Sequence, residues 1–319
     1  MKIQLRNWVL WVLTALFIAN GCAVIEILPT DAVGYNNRGD TYSSKGQYDE
    51  AISSYTKALE MNPRYANAYH GRGVSHRAKG QYDQAISDFT KALEINPKFA
   101  LAYTNRGWTY REKGEYDQAI SDHTKALEIN PKLASAYTNR GVAYERKGQY
   151  DRAISDHTKA LEVNPRLDSA YSNRGLAYIG KGLYDQAIAD CNRALEINPK
   201  FSTAYVNRGF AYQRKEEYDR AISDYTKALE INPRHAFAYS HRGRAYWSKG
   251  EYDRALDDYT KALEINPHYA DAYYNRAIAH YYLRRYDNAW DDVHSLERLG
   301  YRMDPEFLKD LRVVSGREK

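Results

Sequence analysis

A 34-residue unit recurs eight times between Ala32 and Met303, starting at Ala32, Ala66, Ala100, Ala134, Asp168, Ser202, Ala236 and Ala270. A unit this short cannot bury an apolar face alone, so successive copies must stack and share one continuous core. Most copies run close to A-x-A-Y-x-N-R-G-x-A-Y-x-x-K-G-x-Y-D-x-A-I-x-D-Y-T-K-A-L-E-I-N-P.

Two breaks divide the unit. Lys-Gly, as at Lys45-Gly46 and Lys79-Gly80, falls near its middle, where glycine accepts a tight turn. Asn-Pro closes seven of the eight units, from Asn62-Pro63 to Asn266-Pro267, and uses seven of the nine prolines. Asparagine there is expected in the left-handed conformation that ends a helix, with proline preventing continuation. Between the breaks Ala51, Ile52, Tyr55, Ala58 and Leu59 form one face of a 3.6-residue helix and not a strand alternation. The chain is therefore expected to be all-α, with two helices per unit. The glycine at the eighth residue, Gly39 through Gly243, is expected to face the alanine twelve residues on, beginning with Ala51, so that the paired helices approach closely.

These residues resemble the tetratricopeptide-repeat family across residues 32–303. The resemblance implies a right-handed α-solenoid of eight helix-turn-helix units (32–65, 66–99, 100–133, 134–167, 168–201, 202–235, 236–269 and 270–303). One position departs from the family pattern: the seventh residue, usually leucine, is arginine in every unit, from Arg38 to Arg276. Each guanidinium is expected to pair with the aspartate on its own second helix: Asp88, Asp122, Asp156, Asp190, Asp224, Asp258 or Asp292. The first unit has Ser54 instead. A half-buried pair of this kind sets helix register more than it adds stability.

The two ends differ from the repeats. Lys2 and Arg6, the apolar run from Trp8 to Ala19, and Asn20-Gly21-Cys22 describe a secretory leader over residues 1–21. Ala-Asn-Gly-Cys resembles a bacterial lipoprotein cleavage box, which would place a lipid on Cys22. Read together with Ala23-Val24-Ile25, the apolar stretch 8–28 instead makes a single-span anchor interrupted by Asn20 and Glu26, and a simple cleaved secretion signal is the third reading. All three put the repeats outside the bacterial cytoplasm, at the cell envelope, with membrane attachment through lipid or anchor in the first two. At the other end Asp304-Pro305-Glu306 starts a helix, with Phe307, Leu308 and Leu311 on one face, expected to cap the eighth unit over 304–319.

Composition excludes several functions. Net charge is only +5 and evenly scattered, and two of the basic residues, Lys2 and Arg6, belong to the leader, so no nucleic-acid surface is expected. The runner-up reading, a single-stranded nucleic-acid binder built from helical hairpins, suffers from that balance and from the leader. The 31 tyrosines follow from the repeat, because its fourth and seventeenth residues are always Tyr, and packing between hairpins accounts for them better than a binding stripe. His123 and His157 repeat one offset on second helices where other units carry Tyr or Phe, so packing is favoured over a metal site. Cys191 holds the same offset as a small apolar substitute. No phosphate loop or nucleophile elbow is present; the chain is expected to be non-enzymatic, with no cofactor and no small-molecule substrate.

The family lines its concave groove with the first helix of each unit. The sixth residue there is Asn37, Asn105, Asn139, Asn173, Asn207 and Asn275, broken by Gly71 and His241. An amide both donates and accepts, so such a ladder can hold a peptide main chain without reading its side chains. It resembles the groove of the repeat region in protein O-linked N-acetylglucosamine transferases, whose catalytic domain is absent here. The other reading is that these asparagines order their own helices. The ninth residue varies (Asp40, Val74, Trp108, Val142, Leu176, Phe210, Arg244, Ile278), and Trp108, Leu176 and Phe210, joined by Trp247, are expected to form an apolar stripe for a partner, unless they pack between hairpins. The fifth residues include no lysine, which removes the family's clamp for chaperone tails. The chain is thus expected to be a scaffold or assembly factor that binds a protein or extended peptide segment.

Overall fold

The computed structural model describes residues 31–317. The leader, Cys22 and the anchor segment 8–28 lie outside the described residues. The chain divides into two compact units at Pro97, and every described helix belongs to the repeat or to the final cap.

Each repeat is a helical hairpin. Its first helix has 13 residues, as in Ala32–Ser44 and Ala134–Arg146, and its second has 14, as in Tyr48–Met61 and Tyr150–Val163, shortened by one in Tyr286–Arg298. The mid-unit turn needs a left-handed residue: Gly114 has φ of 80°, and where glycine is missing Glu216 and Arg284 adopt φ of 61° and 58°. The closing asparagines do not take that conformation. Asn62 is extended, with φ −137° and ψ 91°, and its side chain accepts from the Arg64 amide at 3.1 Å. The reason is the following proline, whose ring drives the preceding residue out of helical space, while the asparagine side chain stands in for the missing backbone turn.

The eighth-residue glycine faces the alanine turn as expected, but a larger group sets the approach. A Cβ at Gly73 would lie 3.2 Å from the Ala85 carbonyl and 2.8 Å from the Phe89 ring. The paired helices therefore close around the side chain sixteen residues on, which any residue larger than glycine would displace. Ala51, Tyr55, Ala58 and Leu59 are buried on one face, and the tyrosines pack between hairpins: Tyr103 and Tyr137 flank the buried group Ala126, Leu127 and Ala136.

The arginine–aspartate pair forms in all seven units that have the acid. Arg140 donates from Nε and Nη2 to the two carboxylate oxygens of Asp156 at 2.7 and 2.8 Å, and the other six pairs repeat this fork. In the first unit Arg38 reaches Ser54 at 3.3 Å. The guanidinium also does something its own hairpin does not require: Nη1 of Arg140 donates to Thr124 of the preceding unit at 2.9 Å, as Arg174 does to Thr158 and Arg242 to Thr226. It lies besides over the Tyr137 ring at 5.7 Å. One side chain thus joins two helices of its hairpin to the hairpin before it.

The last helix, Pro305–Ser315, starts on Asp304, whose side chain accepts from the Glu306 and Phe307 amides. Leu311 is fully buried and Phe307 and Leu308 pack beside it, against a group that includes Leu296 and Met303. Arg317 pairs with Asp287 at 2.7 Å, repeating the exposed bridge that Lys215 makes to Asp185 between earlier hairpins. No helix among the described residues is long and apolar enough to cross a membrane.

Candidate protein-binding groove

Within residues 98–317 the first helices of neighbouring hairpins touch, Asp168–Gly180 lying against Ser202–Arg214, and their sixth, ninth and twelfth residues line a surface with several concavities, two of which gather the candidate residues. The larger, about 490 Å³, is lined by Phe210, Arg244, Trp247, Asn275, Ile278 and Tyr259, with Gln213 and Glu216 also on its wall. The other, about 400 Å³, is lined by Trp108, Thr138, Asn139 and Leu167 among others. The structure therefore gathers Phe210, Trp247 and Asn275 in one place and Trp108 with Asn139 in another, and Leu176 in neither.

The asparagines are not equivalent. Asn37 is exposed, and Asn105, Asn139, Asn173 and Asn275 are half-buried. Asn139 accepts from Arg111 Nη1 at 3.1 Å. Asn207 departs from the groove reading: it is buried, and its Nδ2 donates to the Ser172 carbonyl at 3.2 Å and the Ser172 hydroxyl at 3.0 Å. Its amide hydrogens join two hairpins and do not face a ligand. The preceding second helix carries Cys191 at the offset where other units carry a ring, and this small side chain leaves room for the amide to turn inward. Where Tyr225 holds that offset, the sixth residue of the next unit is His241, 6.0 Å away centroid to centroid.

The apolar candidates divide too. Trp108 is exposed, with its Nε1 donating to Glu112 at 3.0 Å. Leu176 and Phe210 pack against the buried group of Ile179, Ala187 and Ala211, so they serve hairpin packing as well as surface. Trp247 packs against Tyr252 in a tilted arrangement and edge-on against Tyr282, with ring centroids 4.6 and 5.2 Å apart. Two groove residues escaped the sequence reading. Phe237 is 39% exposed and lies 3.9 Å from the His241 ring, itself 5.0 Å from Phe210. Arg244 was visible only as a break in the apolar stripe. The signal for Phe237 was variation at the second residue of the unit. Burial, with Arg244 beside it, pushes His241 down to about 3, so this ring is neutral at physiological pH.

His123 and His157 are wholly buried behind Gly107 and Gly141, and a Cβ at Gly141 would lie 2.6 Å from the His157 ring. Both rings pack, with neither nitrogen hydrogen-bonded, and burial lowers each to about 3. Among the described residues no group of three His, Cys, Asp or Glu is placed to hold a metal. Cys191 is buried, which pushes its thiol up to about 12 and keeps it unreactive.

Sequence models of the tetratricopeptide repeat match residues 30–98 and 200–268, 134–167 and 169–201, and 89–121 and 258–291, and a related repeat model covers 107–148. No curated protein matches the chain. Among solved structures the chain is similar to a tetratricopeptide repeat protein from Parabacteroides merdae ATCC 43184, at 26% identity and a TM-score of 0.63, over 74% of this chain and 93% of that one. It shares a fold with the APC/C hetero-tetramer Cut9–Hcn1 at 20% identity and a TM-score of 0.68, covering 80% of this chain and half the length of that one. Repeats of this kind generally mediate protein–protein interactions. Hairpins that recur every 34 residues and family matches that run from residue 30 to residue 291 lead to one conclusion: the chain belongs to the tetratricopeptide-repeat family.

Proposed function

We propose that this chain is a non-enzymatic scaffold or assembly factor that holds an extended protein segment against its first helices, outside the bacterial cytoplasm and attached to the membrane. The observation that carries this reading is the cavity that brings Phe210, Trp247 and Asn275 together: apolar walls for side chains and an amide that makes no side-chain hydrogen bond within the described residues. Trp108 and Asn139 place an aromatic beside an amide in a second cavity, there with the amide oxygen accepting from Arg111.

Crosslinking in native membranes, followed by identification of the captured proteins, tests the reading. Trp108→Ala together with Trp247→Ala should weaken capture by roughly 1 to 3 kcal/mol per hot spot with helicity retained. Lys125→Glu, on an exposed second-helix site already paired to Glu128, should leave it nearly unchanged. Capture lost on the outer face and kept in the groove variants would sink the groove reading. Attachment rests on Cys22: Cys22→Ser should retain the leader and abolish labelling by a fatty-acid analogue. Unchanged labelling in that variant removes the lipoprotein reading, and a retained leader in the unmutated chain favours the anchor.

A further inference from the structure

Arg244 interrupts the apolar ninth-residue stripe with a charge. It is exposed on the first helix Ala236–Ser248 and lines both the 490 Å³ cavity and an adjoining one of about 250 Å³, with Asn275 common to the two. Every seventh-residue arginine has a fixed partner, Asp88 for Arg72 and Ser54 for Arg38 among them. Arg244 makes no ion pair or hydrogen bond with any described residue. Charged neighbours are present but lie beyond bonding reach: Glu216 and Arg214 on the wall of the larger cavity, Asp271 on that of the smaller. Arg214 is engaged with the Tyr184 hydroxyl at 3.1 Å, and His241 is neutral.

Phe210, Trp247 and Ile278 give the same cavity an apolar wall, with Phe237 beside it against His241. An occupant that fills this wall also strips water from Arg244. A guanidinium left dry and unpartnered costs more than the apolar contact next to it gains, so an occupant without an anionic acceptor is selected against. Glu216 adds a second feature. It stands in the left-handed conformation that glycine takes in most of these turns, a strained backbone held at the cavity wall, and its unpaired carboxylate repels a second acid there. We infer that this end of the groove, units 202–303, selects an extended peptide in which one acidic side chain sits next to a large apolar one, the acid pairing with Arg244 and the apolar group lodging against Phe210, Trp247 and Ile278. The inference rests on the groove reading above and names the chemistry of the segment held.

The purified full-length chain is applied to an array of synthetic hexapeptides in a Gly-Ser frame whose two central positions run through all residue pairs. Asp or Glu adjacent to Phe, Trp, Leu or Ile should give the strongest signals, and Lys or Arg in the acidic position the weakest. Arg244→Glu should cut the acidic signals roughly tenfold or more and turn the preference to Lys and Arg, a reversal that general loss of fold does not produce. Trp247→Ala should lower all signals while the acid preference stays. No signal from acid–apolar pairs, an apolar preference without an acidic one, or an unchanged pattern in Arg244→Glu would each overturn the inference. The groove reading survives those results if Trp108→Ala and Trp247→Ala still reduce native capture, and falls separately if they do not.

Discussion

Tyr55 occupies the space that an asparagine side chain at residue 71 would need: a Cβ built on Gly71 would lie 2.5 Å from Tyr55 Cζ. The tyrosine hydroxyl donates to Asp40 at 2.7 Å, and Asp40 accepts from Asn36 at 3.0 Å, so the hydroxyl's acceptor is itself held in place. The break in the asparagine ladder at Gly71 thus follows from Tyr55 as Asp40 holds it: Tyr225, whose hydroxyl donates to Gln213 instead, stands before His241, and Tyr259 before Asn275. Gly71→Asn should destabilise the chain by about 1 to 3 kcal/mol through overpacking. Tyr55→Cys, which copies Cys191, should recover part of that loss in the double variant. Additive losses in urea unfolding would show that the two sites do not compete for space.

The guanidinium of Arg140 has two separable partners, Asp156 in its own hairpin and Thr124 in the one before. Removing either member of the Arg140–Asp156 pair leaves a partly buried group unpartnered, at a cost of about 1 to 3 kcal/mol. Removing both should cost less than the sum. The Arg140–Thr124 cycle should give a smaller coupling, since the threonine is neutral. No coupling in the first cycle would mean that the fork contributes nothing in solution.

Arg284 and Glu216 hold turn positions that glycine fills in the other hairpins, at φ of 58° and 61°. Arg284→Gly and Glu216→Gly should each stabilise by roughly 1 kcal/mol, the strain relieved exceeding the extra flexibility of the unfolded chain. A fall in the melting temperature of both variants would contradict this.

His123 and His157 are held at about 3 by burial, against an ordinary value near 6.5. The unfolded chain takes up protons below about pH 6.5 that the folded rings refuse. Stability is therefore complete above that pH and falls as pH drops toward 3, by up to about 1.4 kcal/mol per pH unit for each ring. His123→Phe with His157→Phe, copying Phe89, should shrink the difference between urea midpoints at pH 7.5 and 4.5. An unchanged difference would assign the acid sensitivity elsewhere.

Hairpin count, the mid-unit turn and the arginine–aspartate pairing were legible in the sequence because each rests on a short offset repeated seven or eight times, and repetition averages out local exceptions. Turn glycines, the period and the matched charges at residues seven and twenty-three of the unit all concern one hairpin at a time. Three things were less legible, one of them a local effect and two dependent on how hairpins meet. The closing asparagines are extended because proline rules the residue before it, a local effect that the left-handed reading overlooked. The arginines bridge to the preceding unit through Thr124 and its equivalents, a partner outside the hairpin. Two positions of the asparagine ladder depend on a side chain sixteen residues earlier on another helix: the small Cys191 stands behind Asn207, which turns inward to Ser172, and Tyr55, held by Asp40, fills the space beside Gly71. Spacing alone sets the repeat and its within-hairpin pairs. Which amides face the groove, and that Arg244 stands there unpaired among Phe210, Trp247 and Ile278, was decided by the tertiary structure, because close-packed side chains from adjacent hairpins compete for one volume.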